Sequence, residues 1–323
     1  MNVLREALPK AGEALSCVEQ SLRIALTDAT PEAKRVFLHL LEGGGKRVRP
    51  LVTLLSAGLF AEDVSVAVPV ATAMELIHMA TLVHDDIIDV ADTRRGRPTV
   101  NSVWGNHQAV LAGDALLARA LRLLVEVGLL ETVMLVSHMI HSMCEGEITQ
   151  NANLGNLAQT EADYFERIEK KTALFFAACC QAGALVACAS ISSVVAMGEY
   201  GRLLGLAFQV VDDVLDFTAE AQVMGKPVGS DLVSGIVTLP VIYALNQPKA
   251  QAALRVCLAD SSSTEKAMPQ VMDIIRENGG IEYSLDVAES LVRRAKSVLP
   301  VSAHTDVREA LLNLADMVVH RSF

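Results

Sequence analysis

Leu76-Ile77-His78-Met79-Ala80-Thr81-Leu82-Val83-His84-Asp85-Asp86-Ile87-Ile88-Asp89 is the stretch on which the fold turns. It is apolar and strongly helical, yet it ends in three carboxylates within five residues. On a helix, positions i and i+4 stack one turn apart on one face, so Asp85 lies over Asp89. Like charges at that spacing repel, and such clusters are tolerated where they hold a hard cation. Mg²⁺ in particular favours one or two carboxylates completed by substrate phosphates. A lone motif of this kind reads equally well as a solvated acidic face. A second copy, Asp212-Asp213-Val214-Leu215-Asp216, again set in an apolar stretch, shifts the balance. Two such clusters facing each other would hold several Mg²⁺ ions around a diphosphate.

Working outward, Ala and Leu dominate the 323 residues, aromatics make up only 4%, and no proline falls between Pro98 and Pro227. This predicts an all-α helical bundle with a large core. No Pro/Gly/Ser-rich linker or charge block divides the chain, so residues 1–323 are expected to form a single domain. A formal charge of -11 argues against nucleic acid as a partner, since phosphate-backbone binding needs a basic face. Phosphorylated small molecules remain compatible, because bound Mg²⁺ inverts the local field.

Six cysteines show no metal-ligand spacing, and Cys179-Cys180 reads as packing in a run of small and aromatic residues. Met1 to Gly12 carries charges and no signal-type apolar region, which points to a reduced, cytoplasmic setting. From Thr172 to Gly198 there is no charge, a length sufficient to cross a bilayer. Gln181 and the Ser190-Ile191-Ser192-Ser193 cluster favour instead a buried helix followed by a turn near Ser190 to Ser193, in a chain that does not span a membrane.

The breaks between helical stretches combine Gly/Pro punctuation with cations: Gly43-Gly44-Gly45-Lys46-Arg47-Val48-Arg49-Pro50, Thr93-Arg94-Arg95-Gly96-Arg97-Pro98 and Met224-Gly225-Lys226-Pro227-Val228-Gly229. Glycines let backbone approach an anion, and a helix starting near Pro50 adds its dipole. Beside two Mg²⁺-type clusters, three cationic breaks suit a diphosphate. Ser-His-Asp and Cys-His nucleophile patterns are absent.

These motifs, with Lys171-Thr172-Ala173 and Phe208-Gln209 ahead of the second Asp cluster, are similar to those of the trans-polyprenyl diphosphate synthases, from about Gly43 to the C-terminus. Gly225 through Leu232 and Thr238 through Leu245 most resemble component II of the heptaprenyl diphosphate synthases. The resemblance implies an isoprenoid synthase fold with a central active-site cavity. It also implies a Mg²⁺-dependent prenyltransferase, with three ions, that joins an allylic diphosphate to isopentenyl diphosphate for a quinone side chain.

By that resemblance Asp85, Asp86 and Asp89 share two ions, and Asp212, with Asp213 and Asp216, shares the third. Lys46, Arg49, His78 and Arg95 match the isopentenyl diphosphate site, and Arg94, Lys171 and Lys226 the allylic site. Thr172 and Gln209 supply dipoles that stabilise a carbocation without trapping it. The helix running back from Asp85 lines the path of the growing tail. Ala80 and Thr81 at its first turn are small and Ile77 follows, so about six to eight isoprene units, roughly C30–C40, fit at one unit per turn. Close helix packing is the competing reason for a small Ala80.

Many single-subunit members of the family carry a lysine where this chain has Ile236. Component II proteins share the gap, which favours dependence on a small component I-type partner; a homodimer is the other expectation. Peripheral membrane contact would serve product release. A terpene cyclase of the same fold and a noncatalytic partner subunit are the alternatives. The first would not need the cations at 46, 49, 78 and 95, and intact Asp motifs speak against the second.

Overall fold

The computed structural model of the protein describes residues 9–218, 228–258 and 261–320. It is all-α, as expected: α1 (Pro9–Thr27), α2 (Pro31–Glu42), α3 (Val48–Gly58), α4 (Val68–Ile88), α5 (Asn106–Val127), α6 (Leu130–Ala152), α7 (Glu161–Ile168), α8 (Leu174–Val186), α9 (Ile191–Thr218), α10 (Leu239–Leu245), α11 (Pro248–Cys257), α12 (Ser261–Glu277), α13 (Gly280–Val298) and α14 (Thr305–Val319), with short single turns besides. One antiparallel pair, β1 (Thr93–Arg94) and β2 (Arg97–Pro98), interrupts the helices.

The helix starts follow side-chain chemistry. The Thr30 hydroxyl accepts from Ala33 N ahead of Pro31, and Thr160 and Asp163 form a reciprocal capping box at α7.

The chain sorts into two compact units. The first comprises Met1–Ser137, Ala178–Met197 and Pro300–Leu311. Its core is apolar on α3 and α4, where Leu51, Leu54, Met74, Leu76 and Ile77 are at most 1% exposed. Close approaches there need glycine. A Cβ on Gly113 of α5 would lie 2.2 Å from His84 Nε2, and one on Gly183 of α8 would lie 2.2 Å from the Thr53 carbonyl oxygen of α3.

The second unit comprises His138–Ala177, Gly198–Leu299 and Leu312–Phe323. Tyr164, Phe175, Phe176 and Tyr200 are fully buried in it. Between α7 and α8 the chain widens into a π-helical turn, Glu169–Ala173. Gly205 of α9 accommodates that turn, since a Cβ there would lie 2.6 Å from Ala173 Cα.

The uncharged stretch behaves as a buried helix and a break. α8 has 13 residues and so spans about 20 Å, short of the roughly 30 Å of a bilayer core. The chain then turns at Cys188, whose φ is 55°, and the Ser190 hydroxyl accepts from Ser193 N to start α9. Cys179 and Cys180 are buried, and burial pushes the Cys179 thiol up to about 12, which fits a packing role. Two helical stretches, Val64–Ile88 and Ile191–Thr218, are long and apolar enough to cross a membrane, and 67% and 61% of their apolar windows are buried within the protein.

Candidate active site

The first aspartate motif ends α4. Asp89 is the C-cap, its N–H bonding to the Asp85 carbonyl, so Asp85 and Asp89 do stand one turn apart. Asp86 is buried, 4% exposed, and its Oδ1 accepts from Arg94 Nε at 2.7 Å. Burial pushes its carboxyl up, and Arg94 opposes that shift. Arg94 is placed by the β1–β2 hairpin, in which Thr93 faces Pro98 and Arg94 faces Arg97. Its two-residue turn, Arg95-Gly96, has both φ values positive, at 53° and 73°, as a tight twisted hairpin requires. That turn carries Arg95 to the glycine-rich segment, where its NH1 donates to the Gly44 carbonyl at 2.6 Å.

Lys46, Arg49 and His78 lie in the same unit. Burial, and then the guanidiniums of Arg49, Arg95, Arg94 and Arg47, hold the His78 imidazole well below its ordinary pKa. His78 is therefore a neutral imidazole at neutral pH inside a cationic cluster. Burial also pulls Arg49 down, partly offset by Cys179 and Glu75, yet a guanidinium stays charged. Ile77 and Ala80 are 1% and 3% exposed, and the Thr81 hydroxyl donates to the His78 carbonyl at 2.9 Å.

The second motif, in the other unit, is built differently. Asp213 is fully enclosed: Tyr164 OH donates to its Oδ2 at 2.7 Å and Gln209 Nε2 to its Oδ1 at 2.8 Å. Gln209 Oε1 in turn accepts from the Thr172 hydroxyl at 2.8 Å. Burial, with Asp231 next, pushes the Asp213 carboxyl up to about 7. Asp216 accepts from Ser230 Oγ at 2.9 Å and from Asp231 N at 3.2 Å, which ties the motif to the short turn at Ser230–Val233. Lys171, on the π turn, donates to Glu147 at 2.9 Å. A π turn re-aims successive side chains, a device frequent at functional sites. Lys226 lies outside the described residues. Ile236 follows Gly235, whose φ is 83°, and its N–H donates to the Asp231 carbonyl.

Sequence reasoning missed Tyr164, Glu147 and Glu75, and it took in Arg47 only as part of a cationic break. Tyr164 alone had a signal: it is one of four tyrosines, and a buried phenol needs a partner for its hydroxyl.

Among the described residues, no three His, Cys, Asp or Glu side chains converge as a ready-made metal cage. The donor set still suits Mg²⁺, which relies on few carboxylates and on phosphate oxygens. Asp85 and Asp89 stack as an all-oxygen pair, and the nearby guanidiniums suit the phosphates. Asp213, buried and with both oxygens accepting hydrogen bonds, suits a supporting position. Asp216 is a second oxygen donor in the same motif, held by Ser230 and the Asp231 N–H.

All-α helices, duplicated aspartate motifs and cation-bearing breaks are the features of an enzyme suited to diphosphate substrates. Comparison with known proteins gives the family. The polyprenyl synthetase family model matches residues 30–275, and the chain belongs to that family of prenyltransferases. The chain is 39% identical over 309 residues, 96% of each chain, to heptaprenyl diphosphate synthase component 2 of Geobacillus stearothermophilus. It is 34% identical to geranylgeranyl diphosphate synthase of Methanosarcina mazei, over 100% of this chain and 99% of the relative. The structure of a polyprenyl synthase from Caulobacter crescentus, complexed with calcium and isoprenyl diphosphate, matches with a TM-score of 0.91 at 33% identity, covering 98% of both chains.

Proposed function

We propose that the protein is a long-chain, trans-selective polyprenyl diphosphate synthase, heptaprenyl-type with a product of about C30–C40, that condenses an allylic diphosphate with isopentenyl diphosphate for a quinone side chain. The carrying observation is that each unit bears one aspartate motif, the first in the same unit as the cationic cluster around His78, in a family match that runs through both units. That continuity supports reading residues 1–323 as one catalytic domain. The name of the Geobacillus relative supports the heptaprenyl type.

Asp85, Asp86 and Asp89, with Asp212 and Asp216, would hold Mg²⁺, three ions by analogy with the family. When bound, Mg²⁺ supplies Lewis-acid stabilisation of the departing diphosphate. The chain's own residues do the rest. Lys171, Arg94 and Lys226 hold the allylic diphosphate, and Lys46, Arg49, neutral His78 and Arg95 hold isopentenyl diphosphate with its alkene free to react. The allylic carbon–oxygen bond breaks, and the diphosphate leaves with the electron pair. The alkene then attacks the allylic cation, and loss of a proton restores a double bond. Gln209 and Thr172 present oxygen dipoles to that cation. Their mutual hydrogen bond, fixed through Asp213 to Tyr164, keeps them preorganised.

The growing tail would pass Ala80, which is small, with Thr81 and Ile77 beside it on the same helix. Exposed Val110, Leu111, Val125, Leu130 and Met134 on α5 and the start of α6 offer an apolar surface for a second subunit, either another copy or a small component I-type chain. We place the protein in the cytoplasm, with peripheral membrane contact for product release.

The test is incubation of the purified chain with farnesyl diphosphate, isopentenyl diphosphate and Mg²⁺, with and without a component I-type partner, followed by chromatography of the dephosphorylated products. All-trans alcohols of about C30–C40 are expected. Cyclic hydrocarbons formed from the allylic diphosphate alone would point to a cyclase, and no condensation under either condition would overturn the assignment.

A further inference from the structure

Arg47 sits between two proposed diphosphate ligands, Lys46 and Arg49, and has the same chemistry, yet its fork is already occupied. Nε donates to Glu19 Oε1 at 2.6 Å, NH1 donates to Glu75 Oε1 at 2.6 Å, and NH2 reaches Glu19 Oε2 at 3.5 Å. Arg47 is 6% exposed and Glu75 3%. Arg47 is also the N-cap of α3 in the left-handed conformation, φ 52° and ψ 40°, an uncommon backbone for a non-glycine residue. Held there, it sets the backbone direction from Gly45 into α3.

The surroundings tie the same point to the rest of the cluster. An ideal Cβ on Gly45 would lie 3.1 Å from Arg95 NH1, 3.2 Å from Arg47 NH1 and 3.8 Å from Glu75 Oε1, so the glycine run passes tightly over both guanidiniums. Glu75 stands one helical turn before His78 on α4, and its charge acts on Arg49 and Arg95 as well as Arg47. Its Oε2 is buried and has no hydrogen-bond partner among the described residues.

We infer that Arg47 is a positioning residue, locked by Glu75 and Glu19, that sets the directions of Lys46 and Arg49 for the isopentenyl diphosphate and does not itself touch that substrate. The inference rests on the function proposed above, which supplies the substrate. Charge gives a discriminating sign. If Arg47 were a ligand, neutralising Glu75 would release its fork and strengthen the positive field, lowering the Michaelis constant for isopentenyl diphosphate. If Arg47 is the anchor, the same change loosens the segment and raises it.

The experiment compares wild type with Glu75→Gln, Arg47→Lys and the double variant. Each single variant should raise the isopentenyl diphosphate KM about tenfold, with kcat and the allylic KM within about threefold. The double should be no worse than the worse single, because both changes break one linkage. An unchanged or lowered KM in Glu75→Gln, or multiplicative losses in the double, would overturn the anchor. If Glu75→Gln does not fold, Glu19→Gln, at the more exposed end of the network, is read by the same sign.

Amide hydrogen exchange over residues 43–49 of the substrate-free protein separates this inference from the function beneath it. Faster exchange in Glu75→Gln or Glu19→Gln, confined to that segment, supports the anchor even if wild type fails to condense the substrates. Unchanged exchange overturns the anchor even if wild type condenses them.

Discussion

Around Asp85-Asp86-x-x-Asp89 the recorded partners are cations, whereas around Asp212-Asp213-x-x-Asp216 they are mostly neutral donors. Arg94 bonds Asp86, and Arg49, Arg95 and neutral His78 belong to the same charged neighbourhood. Tyr164 and Gln209 hold Asp213, while Ser230 and a backbone N–H hold Asp216. One sequence pattern therefore serves two physical arrangements. The first stands at a helix end, with Asp89 exposed, and can reorganise around ions. The second is preorganised by buried hydrogen bonds, so its aspartates support structure as well as chemistry.

The largest effect expected is on turnover. Asp85→Ala and Asp212→Ala should each lower it about a thousandfold, with helical circular dichroism unchanged, because both are proposed to act on the leaving group. Near wild-type rates in saturating Mg²⁺ for either variant would break the functional symmetry of the motifs.

Product length probes the first region alone. Ala80→Tyr should fill the buried position one turn before Asp85 and shift products to roughly fifteen or twenty carbons while sparing the first condensation. An unchanged long-chain distribution from a well-folded variant would show that the tail takes another route.

Stability should then separate the last aspartates of the two motifs. Asp216→Ala removes the acceptor for Ser230 and Asp231 N, at a cost of about 1–3 kcal/mol in urea unfolding, whereas exposed Asp89→Ala should stay within about 0.5 kcal/mol of wild type. Equal losses would erase the contrast.

The smallest effect is a pH slope from His78. Burial and neighbouring cations lower its folded pKa, so as pH falls below about 6.5 the unfolded chain takes up a proton that the folded chain refuses. This contribution to stability is full above that pH and is lost below it by about 1.4 kcal/mol per unit, until the folded pKa is reached. Unfolding curves of His78→Gln should lack that part of the slope. A variant with the wild-type slope would locate the titration elsewhere.

Local pattern made much of this legible. The helices, both motifs, the first two cationic breaks and the break near Ser190 all follow from periodicity and punctuation over a few residues. The supporting contacts were hidden because their partners are far apart in sequence. Tyr164 and Asp213 are 49 residues apart, and Arg47 lies 28 residues from both Glu19 and Glu75. The hairpin was flagged only as a break, since its turn places an arginine, Arg95, at positive φ. The π turn that carries Lys171 and Thr172 adds one residue of hydrogen-bond register to a continuous helical pattern, and periodicity does not report that.

A double-mutant cycle on pyrophosphate release, using Asp85→Ala, Asp212→Ala and their combination under saturating Mg²⁺, decides whether both motifs act on one allylic diphosphate, as proposed. Residues acting as a unit give strongly non-additive losses, so the double variant should fall within about tenfold of the worse single. Multiplicative losses, roughly another thousandfold below the singles, would mean that the two motifs act independently and would contradict the account.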